Sequence, residues 1–311
     1  MLTNDQIHTV LDLIDKQIIF FAGSTLGPGV LSDQDKETLI KNGIDPERIY
    51  STDRDPVIQN FHLGLLSNIL SDEKAKAMTH DQLVKYIKSG QHIPLNEREQ
   101  ATIDSIKMQS FADIRANKGR IFADINSVVA REFDTARADQ EQFIRSRITD
   151  SNRERLARKN IARGIAKLTG DWSRNFDKSV QYISHTALNE GRSAMIQRRY
   201  GANHEAKVFF QVQHDACKHC IKHYLTAGAG SEPKVFTLKE LQANGSNIGR
   251  KADAWLPTIH ALHVHCRCLI TEFVPGTEWD GERFSFPKEG YVSEQARPKI
   301  HIVFNGEDYY V

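Results

Sequence analysis

No cysteine precedes Cys217 in this chain of 311 residues, so neither a disulfide framework nor a thiolate metal site exists over its first two thirds. Long apolar runs are missing too. The best candidate, Gln17-Ile-Ile-Phe-Phe-Ala-Gly23, falls far short of the roughly twenty residues that a membrane span needs. Charge of one sign is also lacking: 41 basic against 40 acidic residues leave a formal +1, which excludes a polycation that binds nucleic acid by bulk charge. Aromatics make up only 8% and do not interleave with basic residues as single-strand stacking requires. Gly228-Ala-Gly230 lacks the strand–GK[ST]–helix frame of a phosphate-binding loop, and no Ser/His/Asp elbow is visible. The start, Met1-Leu-Thr-Asn-Asp5, has no basic region and no signal-peptide apolar core, so a reducing compartment is expected. With a mean hydropathy of -0.48, the chain reads as soluble.

All four cysteines crowd into one C-terminal stretch: Cys217-Lys-His-Cys220, a loop of roughly forty residues, then His263-Val-His-Cys266-Arg-Cys268. Two close pairs of soft thiolates with histidines beside them suit a tetrahedral zinc ion that ties the loop shut. Two disulfides or four unrelated buried thiols are the alternatives. Disulfides sit badly with a reducing compartment, and unrelated thiols would not share one short window. The candidate ligands are Cys217, Cys220, His263, Cys266 and Cys268, with His265 beside them. Cys217, Cys220 and Cys268 are the expected core of the set, with Cys266 or His263 as fourth. His214, His219 and His223 crowd the first pair, and His223 extends it to a possible three-ligand run. A site closed by four protein ligands is structural, having no open position for water.

The first 95 residues read as helices with punctuation. Thr3-x-x-Gln6 is a capping box before Ile7, Val10, Leu11, Ile14 and Ile18, and Gly23 to Gly29 ends that helix. Ser32-x-x-Asp35 opens a shorter helix that stops near Gly43, and His80 to Gly90 reads as another. From Asn96 to Tyr200 proline is absent and apolar residues recur at helical spacing, so residues 96–200 are expected as long helices in an extended hairpin or bundle. Ser151-x-x-Glu154 marks a joint near Asp150, and Gly170-Asp171 is expected to kink or divide the run that follows. Between Ser151 and Tyr200 there are eleven basic against four acidic side chains. Arg153, Arg155, Arg158, Lys159 and Arg163 form either a solvated face or a sequence-independent phosphate contact.

After Gly201 the pattern changes. Lys207–Gln213 and Leu269–Val274 alternate like strands, Thr237-Leu-Lys-Glu240 is a capped short helix, and Asn305-Gly306 is the turn of a C-terminal hairpin. The expected fold is therefore α+β: a helical region over 1–95, long helices over 96–200, a small zinc-stabilised Cys/His module over 201–275 and a β-rich extension over 276–311.

Several of these segments together resemble a known family. They are Thr186-Ala-Leu-Asn189-Glu-Gly-Arg192, His214-Asp-Ala-Cys217-Lys-His-Cys220, Val235-Phe-Thr-Leu238, Asn244-Gly-Ser-Asn-Ile-Gly249 and Leu262-His263-Val-His-Cys266-Arg-Cys268. This set, covering about residues 180–275, looks like the phage Mu F-like minor head proteins. Val264 stands where that pattern usually has proline, and His265 is a local departure. The resemblance implies a structural component of a tailed-phage virion, assembled in the host cytoplasm. It implies partners in the portal and capsid proteins, a role in head morphogenesis, and contact with genomic DNA during packaging or delivery. It implies no enzymatic activity, no small-molecule substrate and no membrane.

Two rival readings belong to other classes. A His-Asn-His metal nuclease also combines CxxC with His-x-His, but it needs a helix after the strand that follows Cys268. A thiol oxidoreductase uses CxxC at the start of a helix in a βαβ frame, and a second cysteine pair is superfluous to it. A DNA-binding structural protein outside any virion is the remaining alternative, supported by the basic helix alone.

Overall fold

The computed structural model describes residues 31–46, 55–69, 93–146, 152–201, 205–286, 301–304 and 307–310, with the helical positions 12, 15, 16, 18 and 19. The helices expected over Thr3–Gly23 and His80–Gly90 otherwise lie outside these residues. Two compact units are discontinuous in sequence: residues 1–50 with 108–180, and residues 51–107 with 181–311. The sequence pattern divides the chain instead near residues 95, 200 and 275. The difference arises because two helices of 50 and 49 residues each belong partly to both units.

In the first unit, α1 (Asp33–Lys41) starts at the expected place. The Ser32 side chain accepts from the Asp35 N–H, and the Asp35 carboxylate accepts from the Ser32 N–H. Leu31 and Leu39 are buried against Ile19, Ile44 and Phe111. The parts of α3 (Glu97–Ser146) and α4 (Asn152–Tyr200) in this unit approach closely: a Cβ on Gly164 would lie 2.8 Å from a Val128 methyl. Helix α4 runs through Gly170-Asp171 without interruption, so that pair does not divide it. Glycine merely lowers helix propensity there, and Trp172, only 2% exposed, anchors the neighbouring turn.

In the second unit, α2 (Pro56–Ile69) is a helix that the sequence pattern did not single out. Asp55 caps it, accepting from the Val57 and Ile58 N–H groups, and pairs with the buried ammonium of Lys107. Asn96 and Glu99 form a reciprocal capping box at the start of α3, and Arg198 near the end of α4 pairs with Glu99. Gly201, at φ 82°, terminates α4 as a left-handed glycine does.

The C-terminal part of this unit is α+β, as expected. Strands β1 (Lys207–Gln211), β2 (Val235–Thr237) and β3 (Leu269–Glu272) form an antiparallel sheet in the order β2-β1-β3. Val208 and Phe210 point inward, fully buried, onto α5 (Lys218–Tyr224) and α6 (Leu238–Ala243). On the other face Phe209, Phe273, Trp279 and Phe284 pack edge to face, so the hairpin β4 (Glu278–Trp279)/β5 (Phe284–Ser285) covers the sheet. Strands β6 (His301–Phe304) and β7 (Glu307–Tyr310) pair antiparallel, with Phe304 opposite Glu307, while the expected turn residues Asn305 and Gly306 lie outside the described residues.

Candidate metal centre

The CxxC turn forms because Cys217 is the extended residue in front of α5, so Cys220 sits one turn into the helix on the same side. Its partners come from the loop before β3, where the Cys266 N–H donates to the His263 carbonyl in a tight turn. Two segments 46 residues apart thus converge, with Cys220 Sγ 3.6 Å from Cys266 Sγ.

The donors fall into two triads that share Cys220: Cys217, Cys220 and His263, and Cys220, Cys266 and Cys268. Each triad can hold a metal ion. The Cys217–Cys220 sulfurs are 3.9 Å apart. Separations of 3.9 and 3.6 Å bracket the edge of about 3.8 Å that follows from two zinc–sulfur bonds of about 2.3 Å at the tetrahedral angle. All five candidates from the sequence are therefore brought together. His265 is exposed and, like His214, His219 and His223, belongs to neither triad. The four cysteines are free thiols, not disulfides.

Burial divides the cluster. Cys220, Cys266 and Cys268 belong to the core of the unit, whereas Cys217 is exposed at the rim of a cavity of about 570 Å³. Bonds from Cys220 and Cys268 hold the Cys266 thiol far below its usual range, aided by the backbone N–H groups of Cys268 and Leu262. The same bond to Cys266, then the bond to Cys268 and burial, push Cys220 up. Tyr224, stacked on Phe210 at 4.0 Å, has its hydroxyl pushed up by burial and then by these sulfurs. Burial also lowers the pKa of His263, favouring neutral imidazole.

A clamp from α4 holds the loop in place, and sequence reasoning assigned these residues no role. The Asn189 amide behaves like a piece of strand along the open edge of β3: Nδ2 donates to the Cys268 carbonyl, and Oδ1 accepts from the Ile270 N–H, both at 3.2 Å. Arg192 donates to the Ile270 carbonyl and to Thr271 Oγ1. Burial pushes its pKa down to about 10, which leaves it charged at neutral pH. Thr186 Oγ1 accepts from the Ala261 N–H. At the strand's far end Arg199 and Tyr200 bind the buried Glu272 carboxylate. Asn247 grips the cluster-bearing loop from the other side through the Leu256 N–H and the Leu256 and Leu262 carbonyls. The signal available beforehand was the run Thr186 to Arg192, a polar set at helical spacing inside an apolar stripe.

Helix α4 is regular through Arg153, Arg155, Arg158, Lys159 and Arg163. Arg163 and Lys167 are exposed, while the side chains of the other four lie outside the described residues. No helix among the described residues is long and apolar enough to cross a membrane. Comparison of the chain with protein-family models, with curated proteins and with solved structures yields no significant match, so the chemistry of the cluster rests on its own geometry.

Proposed function

We propose that this chain is a non-enzymatic structural protein whose C-terminal part is closed by one zinc ion, and that it serves as a minor head protein of a tailed bacteriophage. In this reading it binds at or near the portal, acts in head morphogenesis, and meets packaged DNA without sequence preference. One observation carries the proposal. The residues of the resemblance are the ones that hold the cluster together: Thr186, Asn189 and Arg192 grip the segment from Ala261 to Thr271, and Asn247 grips the loop before it. A buried site built from side chains so far apart is a scaffold feature, and zinc bound by cysteine contributes folding energy outright.

The rivals are less well served. The CxxC does open a helix, but within an antiparallel sheet, not the βαβ frame of a thiol oxidoreductase. A His-Asn-His nuclease requires a helix after the second strand, and residues 273–286 instead form a turn and the hairpin β4/β5.

The test is sedimentation of heads, portal rings and free protein from producing cells, with the chain followed by antibody. Co-sedimentation with portal or capsid is expected, together with about one zinc per chain. Free protein in every fraction, combined with cleavage of duplex DNA on addition of a divalent ion, would reverse the proposal in favour of the nuclease.

A further inference from the structure

We infer that the metal is held by all four cysteine thiolates, and that His263 is not a ligand but donates its Nε2–H to the sulfurs of Cys217 and Cys220. This deepens the metal reading above and rests on it.

The first reason is the other ring nitrogen. The His265 backbone N–H donates to His263 Nδ1 at 3.3 Å. A neutral imidazole carries one proton, so a nitrogen that accepts leaves the proton on its partner, Nε2. A histidine that binds a metal through Nε2 does the reverse, donating Nδ1–H to a carboxylate, carbonyl or water. His263 faces a donor there, and ligation through Nε2 would set two N–H groups against each other.

The second reason is distance. Bonds of about 2.3 Å to sulfur and 2.0–2.1 Å to nitrogen place a thiolate and an imidazole on one tetrahedral zinc about 3.5 Å apart. His263 Nε2 lies 3.1 Å from Cys217 Sγ and 3.2 Å from Cys220 Sγ, closer than a shared ion sets them and suited to direct N–H to sulfur bonding. The separations of Cys220 from Cys217 and from Cys266, 3.9 and 3.6 Å, each suit a shared ion, while Cys217 stands outside the triad of Cys220, Cys266 and Cys268.

The third reason is that the ring is held. Trp255 stacks on His263 with centroids 5.7 Å apart and planes at 20°, meets His219 edge-on, and is fixed by its indole N–H on the Arg250 carbonyl. Cys217 has the freedom that closure requires: it is exposed, and its side chain caps nothing, so its sulfur can turn toward Cys266 and Cys268. Four thiolates around a divalent ion leave net negative charge. The His263 N–H, with the backbone N–H groups near Cys266, offsets it.

X-ray absorption at the zinc edge of the full chain tests the assignment. Four sulfurs at about 2.3 Å with no nitrogen at 2.0–2.1 Å are expected. His263→Ala keeps that spectrum but loses about 10–100-fold in zinc affinity by chelator competition, as outer-shell partners do. His263→Gln, which retains an N–H, recovers part of the loss. A nitrogen in the wild-type shell that disappears in His263→Ala overturns the assignment and leaves the metal site standing. A chain that binds no zinc overturns both. If His263→Ala fails to fold, the wild-type spectrum alone decides.

Discussion

Gly64 and Gly191 show how little space separates α2 from α4. A Cβ on Gly191 would lie 2.0 Å from the Phe61 carbonyl oxygen, and one on Gly64 would lie 2.2 Å from the Leu188 oxygen. Both obstacles are backbone, which cannot swing aside as a flexible side chain can. Gly191→Ala therefore forces the helices apart and is expected to destabilise the protein by about 3 kcal/mol, the upper range for overpacking. Gly119, in α3, has nothing within 4 Å of its would-be Cβ. There alanine removes only the entropy cost of glycine, so Gly119→Ala should stabilise by about 0.5–1 kcal/mol. Urea unfolding of the two variants checks the opposite signs, and equal shifts would refute the close contact. Glycine at position 191 also explains why the run from Thr186 to Arg192 holds so many fixed roles on about two turns of helix. Its neighbours on either side reach the metal loop, while the glycine lets α2 lie against the helix.

At the scale of elements, caps and periodicity were enough to find α1, α3, α4, the short capped helix α6 and the strands β1, β3, β6 and β7, but not β2, β4 or β5. Each of these has a polar face, or a start signal such as Ser32, Asn96 or Thr237, that stands out locally. Helix α2 was not legible for the opposite reason. From Val57 to Leu66 only Gln59 and Asn60 are more than slightly exposed, so no alternation of polar and apolar faces marks a period. Asp55 before Pro56 was the available signal, a cap followed by proline at the first helical position. The cysteine cluster was legible because metal chemistry needs particular residues at short spacing. The clamp was not, because Asn189 to Cys268 spans 79 residues and no local pattern reports such a pair. The basic start of α4 is a further element whose use follows from its charge. Replacing Arg155, Arg158, Lys159 and Arg163 with glutamine should flatten the salt dependence of duplex-DNA binding by up to four phosphate contacts' worth, a change in log–log slope of about 3–4. Filter binding at several salt concentrations measures that slope. An unchanged slope would make the face merely solvated.

For the whole molecule, histidine is distributed very unevenly between the two units. Of 13 histidines only His8 falls within residues 1–50 or 108–180, so 13 − 1 = 12 belong to the other unit. Protonation between pH 7 and 5 therefore acts almost wholly on the unit that carries the metal cluster. Burial holds His185 below the usual histidine range, and the nearby charge of Arg267 adds to this. Burial also lowers His223, followed by the charges of Lys222 and Lys234. A pKa depressed in the folded state means that the unfolded chain binds the extra proton first. The stability these two groups contribute is then complete above about pH 6.5 and lost as pH falls through their folded values. Metal binding moves in the same direction, because thiolates must shed protons to bind an ion. Calorimetry should accordingly show a transition whose midpoint falls between pH 7.5 and 5. Part of that fall should survive thorough chelation, where the histidines and the Cys266 thiol remain to cause it, and His185→Gln should reduce the surviving part. A chelated protein whose melting is flat across this range would show that these histidines are as easily protonated folded as unfolded, and would assign the whole acid sensitivity of the unit to its metal.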